Sequence, residues 1–219
     1  MDSGTSKSYK TLHGVPERDF ELLIKNISDS LNFKRENNLD VVIGTQYLML
    51  PQNINEEDIN GIINRFKNIN PAYISFKPYS DHPRSRKNLI VEPQKYIYIE
   101  NLLNNLKPEV NFEIEFRKST ISRIEKLTYD ECYGLSFFAL IDAGGNILPC
   151  NLFYGIEEFT YGNLYNNSFS EIWKGDKRKE VLSKLKDRGV ENCRKGCRCD
   201  AGNSYLERLK KPQFHDNFT

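Results

Sequence analysis

The chain has no cysteine before position 132, no run of eighteen apolar residues, a single tryptophan and no excess of either charge sign. The missing apolar run excludes an ordinary membrane-spanning helix, and the opening Met-Asp-Ser-Gly-Thr-Ser-Lys has no apolar signal core. A cytoplasmic protein is the expectation, and with it a reducing environment that disfavours disulfides. Lysine and arginine total 31 against 30 aspartate and glutamate, so net charge points to neither nucleic acid nor an anionic membrane. His13, His82 and His215 each stand apart from any cysteine or serine, which leaves no nucleophile–histidine pattern. No glycine-rich phosphate loop is present either.

With 219 residues the chain can bury one large core or a medium and a small one. The first dozen residues, rich in Ser, Thr, Gly and Lys, read as a loop. Pro16 suits the first turn of a helix whose Phe20, Leu23, Ile24, Ile27 and Leu31 share a face until Asn37 and Asn38 stop it. Residues 39–50 (LDVVIGTQYLML) look like a strand buried on both faces. Asn55 caps the next helix, with Ile59, Ile62, Ile63, Phe66 and Ile69 on one side.

A second strand at 72–77 (AYISFK) ends at Pro78, and after a polar loop Pro93 heads a third helix carrying Tyr96, Ile99, Leu102, Leu103 and Leu106. Residues 111–117 (NFEIEFR) alternate as a half-exposed strand. Helix starts spaced by about 38 residues describe successive βα units of a parallel α/β sheet. Three units are fewer than a closed eight-stranded barrel requires, so a partial barrel or an open sheet is expected over residues 1–128.

Residues 129–219 differ in character and hold all five cysteines. Residues 135–141 and 146–149 flank Asp-Ala-Gly-Gly as a hairpin, with the glycines at positive φ. Tyr161 to Leu164, a short helix at 169–173, a charged helix at 176–186 and a last helix from about Asp200 follow. Cys132 stands at the entry of the hairpin and Cys150 at its exit; Cys193, Cys197 and Cys199 come after a gap. Four convergent thiolates suit an iron-sulfur cluster and equally a structural zinc, and spacing alone separates the two poorly. Inert buried cysteine is the third reading.

The stretch CYGLSFFALIDAGGNILPCNLF, followed by YGNL, SFSEIW and ENCRKGCRCDAGNSYLERLKKPQFHDNF, resembles the SPASM domain, the C-terminal extension of many radical SAM enzymes. That family opens with a cysteine, a glycine and a second cysteine beyond it, here Cys132, Gly145 and Cys150; its Gly-Asn-Leu and Trp-ended helix match Gly162, Asn163, Leu164 and Trp173. The fuller family pattern has seven cysteines and two auxiliary clusters. The resemblance therefore implies one [4Fe-4S] cluster on Cys132, Cys150, Cys193 and Cys197, with Cys199 as the fifth thiol, able to exchange roles with Cys197.

The upstream units resemble the second half of a radical SAM partial barrel. Residues 2–5 match the end of its fourth strand and residues 41–50 its fifth, which implies Ser3, Gly44 and Thr45 near S-adenosylmethionine and Lys77 toward the barrel interior. The three-cysteine motif that binds the SAM-cleaving cluster does not occur in this sequence. The expected role is therefore the cluster-binding C-terminal portion of a peptide- or small-molecule-modifying radical SAM/SPASM enzyme, not active alone. Its implied partners are a separate N-terminal radical SAM half or a peptide substrate. A zinc-stabilised, non-enzymatic binding module is the alternative. Asp200 and Asn203 are expected to cap the last helix or to hydrogen-bond the ligands. The basic residues from Lys174 to Arg198, Lys195 among them, read as a solvated helix face; without interleaved aromatics they disfavour nucleic acid.

Overall fold

A computed structural model describes residues 1–80, 82–85, 89–125, 127–194 and 196–212, with backbone alone at 123–125. Lys195 and His215 lie outside the described residues. The chain divides into two compact units, Met1–Tyr79 with Lys87–Ile121, and Ser80–Arg86 with Ser122–Thr219.

In the first unit, helix α1 (Ser6–His13) and helix α2 (Arg18–Glu36) precede strand β1 (Thr45–Met49), helix α3 (Glu56–Ile69), strand β2 (Tyr73–Pro78), helix α4 (Pro93–Leu106) and strand β3 (Glu113–Phe116), and helix α5 (Lys118–Glu125) runs across the boundary at Ile121. The three strands are parallel in the order β1-β2-β3, with Thr45 opposite Ile74 and Ile74 opposite Ile114. Tyr47, Met49, Ile74, Phe76 and Ile114 point to one face and bury against Phe20, Ile59, Ile63, Phe66 and Ile99. Helical spacing of the isoleucines in α3 and strict alternation in β3 produce this one-sided core.

Two expectations are corrected here. Residues 6–13 are helical because Thr5 and Ser8 form a reciprocal capping box and Gly14 closes the end in the left-handed region at φ 67°. A stretch without an apolar stripe is thus set by its two ends. Residues 39–44 do not join β1, and Leu39, Val41 and Val42 are exposed. Nor is β1 buried on both faces, since Gln46 is exposed and Leu48 only half-buried; alternation, hidden by the apolar run, governs it.

The N-terminus is tied to β1 and to the start of α3. The Leu48 N–H donates to the Met1 carbonyl, and the Asn53 amide donates to the carbonyls of Asp2 and Leu48. Asp58, buried at the start of α3, accepts from the Gly4 N–H at 2.8 Å, from Asn55 and from the Ser8 hydroxyl. A Cβ on Gly4 would sit 1.6 Å from the Asp58 carbonyl oxygen. Glycine is required where these two backbones meet.

The second unit is built on an antiparallel sheet of strand β4 (Leu140–Ile141), strand β5 (Asn146–Leu148) and strand β6 (Gly162–Asn163), with β5 central. The hairpin turns as expected, but only Gly145 takes a positive φ, at 78°. Asp142 holds it by accepting from the N–H groups of Gly144 and Asn146, both at 2.9 Å. Helices α6 (Phe169–Lys174), α7 (Asp176–Arg188) and α8 (Asp200–Lys210) follow. Of the hairpin strand expected over 135–141 only Leu140–Ile141 pairs, and Leu135 and Ser136 lie in the 3-10 turn Tyr133–Ser136. Leu135, Ile147, Phe153, Tyr161, Ile172, Val181 and Leu185 make the core, and Cys132 and Cys150 pack against it.

Candidate metal centre

Cys132 occupies the N-cap of the 3-10 turn Tyr133–Ser136, Cys150 that of the turn Asn151–Phe153, and Cys199 that of α8. Free N–H groups at such starts favour a neighbouring sulfur as thiolate, but burial outweighs this at Cys150 and the neighbouring Cys132 and Cys197 outweigh it at Cys199. The amides of Leu135 and Gly134 act on Cys132 in this sense, and those of Leu152 and Phe153 on Cys150, without closing a formal capping hydrogen bond.

All five thiols are free and half-buried, and each lies within electrostatic reach of Cys132 or Cys197. Hydrogen bonding from Cys199 holds both Cys132 and Cys197 below the ordinary thiol range. Cys199 itself, pressed by the two thiolates it serves, is driven far upward. Burial raises Cys150, and it pushes Cys193 to about 11, where the charges of Cys132, Cys150 and Cys197 add to the effect. Two cysteines distant in sequence, Cys132 and Cys150, are thus neighbours of the 193–199 group. Among the described residues no three His, Cys, Asp or Glu side chains form a group set to hold a single metal ion.

Two buried polar residues of α8 brace this arrangement. Asn203, 1% exposed, accepts the Gly134 N–H on Oδ1 at 2.8 Å and places Nδ2 3.4 Å from the Cys132 sulfur. Asp200, equally buried, accepts the Tyr129 hydroxyl at 3.0 Å, and burial drives the Tyr129 phenol upward. Gly134 touches Cys199 so closely that a Cβ there would lie 2.6 Å from its Cβ and 2.7 Å from its sulfur.

The basic residues split. Lys177, Lys179 and Lys184 pair at the surface with Asp176 and Glu180, as a solvated face would. Arg178 turns inward: its guanidinium lies 3.6 Å from the Trp173 ring centroid and donates to the carbonyls of Trp173 and Leu135. Arg188 lies over Phe153 and eases the Cys193 thiol downward by its charge. Neither role was legible from charge spacing. Gly134 and Tyr129 also went unsignalled, because their partners are about 65 to 71 residues away along the chain.

The residues expected near S-adenosylmethionine do not converge. Ser3 stands by the carboxyl end of β1, beside Asn53 and the start of α3, whereas Gly44 and Thr45 stand at its amino end. Three or more residues of strand, roughly 10 Å, separate them. The Ser3 and Thr45 hydroxyls are buried without partners, and the Gly44 backbone lies under the Tyr73 ring. These positions do not form one cofactor cradle. Lys77 is exposed on the sheet face opposite the core.

Residues 132–200 match the family model of SPASM, described as an iron-sulfur cluster-binding domain. No curated protein matches the chain as a relative. Among solved structures, Streptococcus suis SuiB bound to S-adenosylmethionine is similar at TM-score 0.53 and 15% identity, over 84% of this chain and 43% of that one. anSMEcpe with bound AdoMet and Kp18Cys peptide is similar at TM-score 0.39 and 13% identity, over 82% of this chain and 58% of that one. The chain spans less than half the length of SuiB, with which it shares a mixed α/β fold. No helix of the described residues is long and apolar enough to cross a membrane. Residues 132–200 of this chain thus carry a SPASM domain, the iron-sulfur cluster-binding domain whose model they match.

Proposed function

We propose that this chain holds one [4Fe-4S] cluster through four of its five thiols and serves as the auxiliary-cluster portion of a peptide- or small-molecule-modifying radical SAM/SPASM protein. The observation that carries the reading is the gathering of Cys132, Cys150, Cys193, Cys197 and Cys199 in one unit, three of them at helix N-termini. Four thiolates would serve zinc as well; what supports iron-sulfur here is the match of residues 132–200 to an iron-sulfur cluster-binding domain. Cys199 lies between Cys132 and Cys197, which favours it over a bystander role: it either ligates or keeps its neighbours deprotonated.

When bound, such a cluster supplies an electron-transfer site or an anchoring point for a substrate. The chain's own residues would hold and orient the thiolates, and the core that includes Phe153, Tyr161 and Leu135 backs Cys132 and Cys150. These 219 residues hold no three-cysteine motif of the kind that binds a SAM-cleaving cluster; a radical SAM half and a peptide substrate are the proposed partners. Anaerobic purification followed by iron, sulfide and zinc analysis tests the reading. About four iron and four sulfide per chain, with a brown absorbance, is expected. A colourless protein with one zinc per chain overturns it in favour of a zinc-stabilised binding module.

A further inference from the structure

We infer that Asn203 raises the reduction potential of the bound cluster by donating an N–H···S hydrogen bond to Cys132; this rests on the cluster reading above. The orientation of its amide is dictated by its surroundings. The Gly134 N–H can only donate, so the oxygen must face it, at 2.8 Å. The nitrogen then faces Cys132 at 3.4 Å. Being a donor only, it meets the sulfur as an acceptor, a role that a metal-bound thiolate fills more strongly than a thiol.

The amide is fixed from every side. The Asn203 backbone N–H donates to the Cys199 carbonyl at 2.7 Å. The side chain also faces the Tyr129 hydroxyl, which in turn donates to Asp200. Asn203 itself is 1% exposed, so the donor is shielded from water, beside a half-buried Cys132. A donor held rigidly and so shielded stabilises added negative charge on its acceptor. Hydrogen bonds to cluster sulfurs are among the levers that set a cluster's potential. Asn203 acts through Cys132 and is a positioning residue.

The test is an anaerobic redox titration of the full chain reconstituted with iron and sulfide, dithionite supplying one electron and electron paramagnetic resonance reading the reduced fraction. Asn203→Leu removes both functions of the amide, whereas Asn203→Asp keeps the acceptor for Gly134 and loses the donor. Both variants are expected to lower the midpoint, Asn203→Leu by about tenfold in the reduction equilibrium, which is about 59 mV for one electron. Asn203→Asp should shift it in the same direction by at least as much, and it decides the matter if Asn203→Leu does not fold. Variants that load iron fully and keep the wild-type midpoint overturn the inference while leaving the cluster reading intact. Folded variants that hold no iron also overturn it, because the amide would then serve assembly and not potential. A wild-type chain that takes up no iron overturns both.

Discussion

Gly134→Ala should cost the second unit about 2–4 kcal/mol and most of its iron. The added methyl group would stand 2.6 Å from the Cys199 Cβ and 2.7 Å from its sulfur. Rotating Cys199 relieves the second clash but not the first, since a Cβ moves only with its backbone. The turn must therefore retreat from α8, which lengthens the 2.8 Å bond from the Gly134 N–H to Asn203 and displaces Cys132, two residues back. Overpacking of this kind costs about 1–3 kcal/mol and the weakened hydrogen bond about 0.5–1.5 kcal/mol. Trp173, the single tryptophan, lies in the same unit and reports its denaturant unfolding by fluorescence. Gly202→Ala is the control: it lies on the exposed side of α8 with nothing within 4 Å of its Cβ, so it should be neutral or stabilise by up to about 1 kcal/mol. If Gly134→Ala matches Gly202→Ala in midpoint and in iron per chain, the close approach of the turn to Cys199 is wrong.

Three further outcomes are expected. Arg178→Met removes two hydrogen bonds to carbonyls and a cation held against Trp173; a loss of about 2–3 kcal/mol is expected from those terms, with Arg178→Lys a poor substitute because an ammonium cannot reproduce the planar fork. An unchanged fluorescence-detected midpoint for both variants would count against the stacked geometry. Ile59→Ala, at a fully buried site, should destabilise the first unit by about 2–5 kcal/mol while iron content at the thiols stays at the wild-type level, as urea titration and metal analysis would show. Burial raises the phenols of Tyr47, Tyr129 and Tyr161, and pushes Tyr96 to about 12. The folded state retains protons that the unfolded state releases near pH 10, so stability is full below that pH and falls as pH rises. Absorbance at 295 nm should therefore show these four ionising only as helical circular dichroism is lost; a single titration of all twelve tyrosines near pH 10 in the folded protein would contradict their burial.

Where periodicity was strong, the elements were readable from residues alone. Asn55 does cap α3, accepting from the Asp58 N–H at 2.9 Å, and Ile59 to Ile69 bury along one face as their spacing requires. The short helix expected at 169–173 is α6, and its capping box of Ser168 and Glu171 is seen only in the structure. Errors arose where a local signal had two readings. The apolar run from Leu39 to Leu50 concealed the alternation that exposes Gln46. Residues 6–13 carried no stripe at all, so only their capping residues betrayed a helix.

By itself the sequence determined the kinds of chemistry available: five thiols, confined to the last third, in an order with the glycines and tryptophan that resembles a SPASM domain. Residue type and local spacing suffice for that, because capping, alternation and turn formation act over a few bonds. Only the tertiary structure decided that the Cys199 thiol stands between Cys132 and Cys197, that Asn203 aims its amide at one sulfur, and that Ser3 lies at the opposite end of β1 from Gly44 and Thr45. Those relations join residues tens of positions apart, and long-range packing of sheet and helix alone sets such distances.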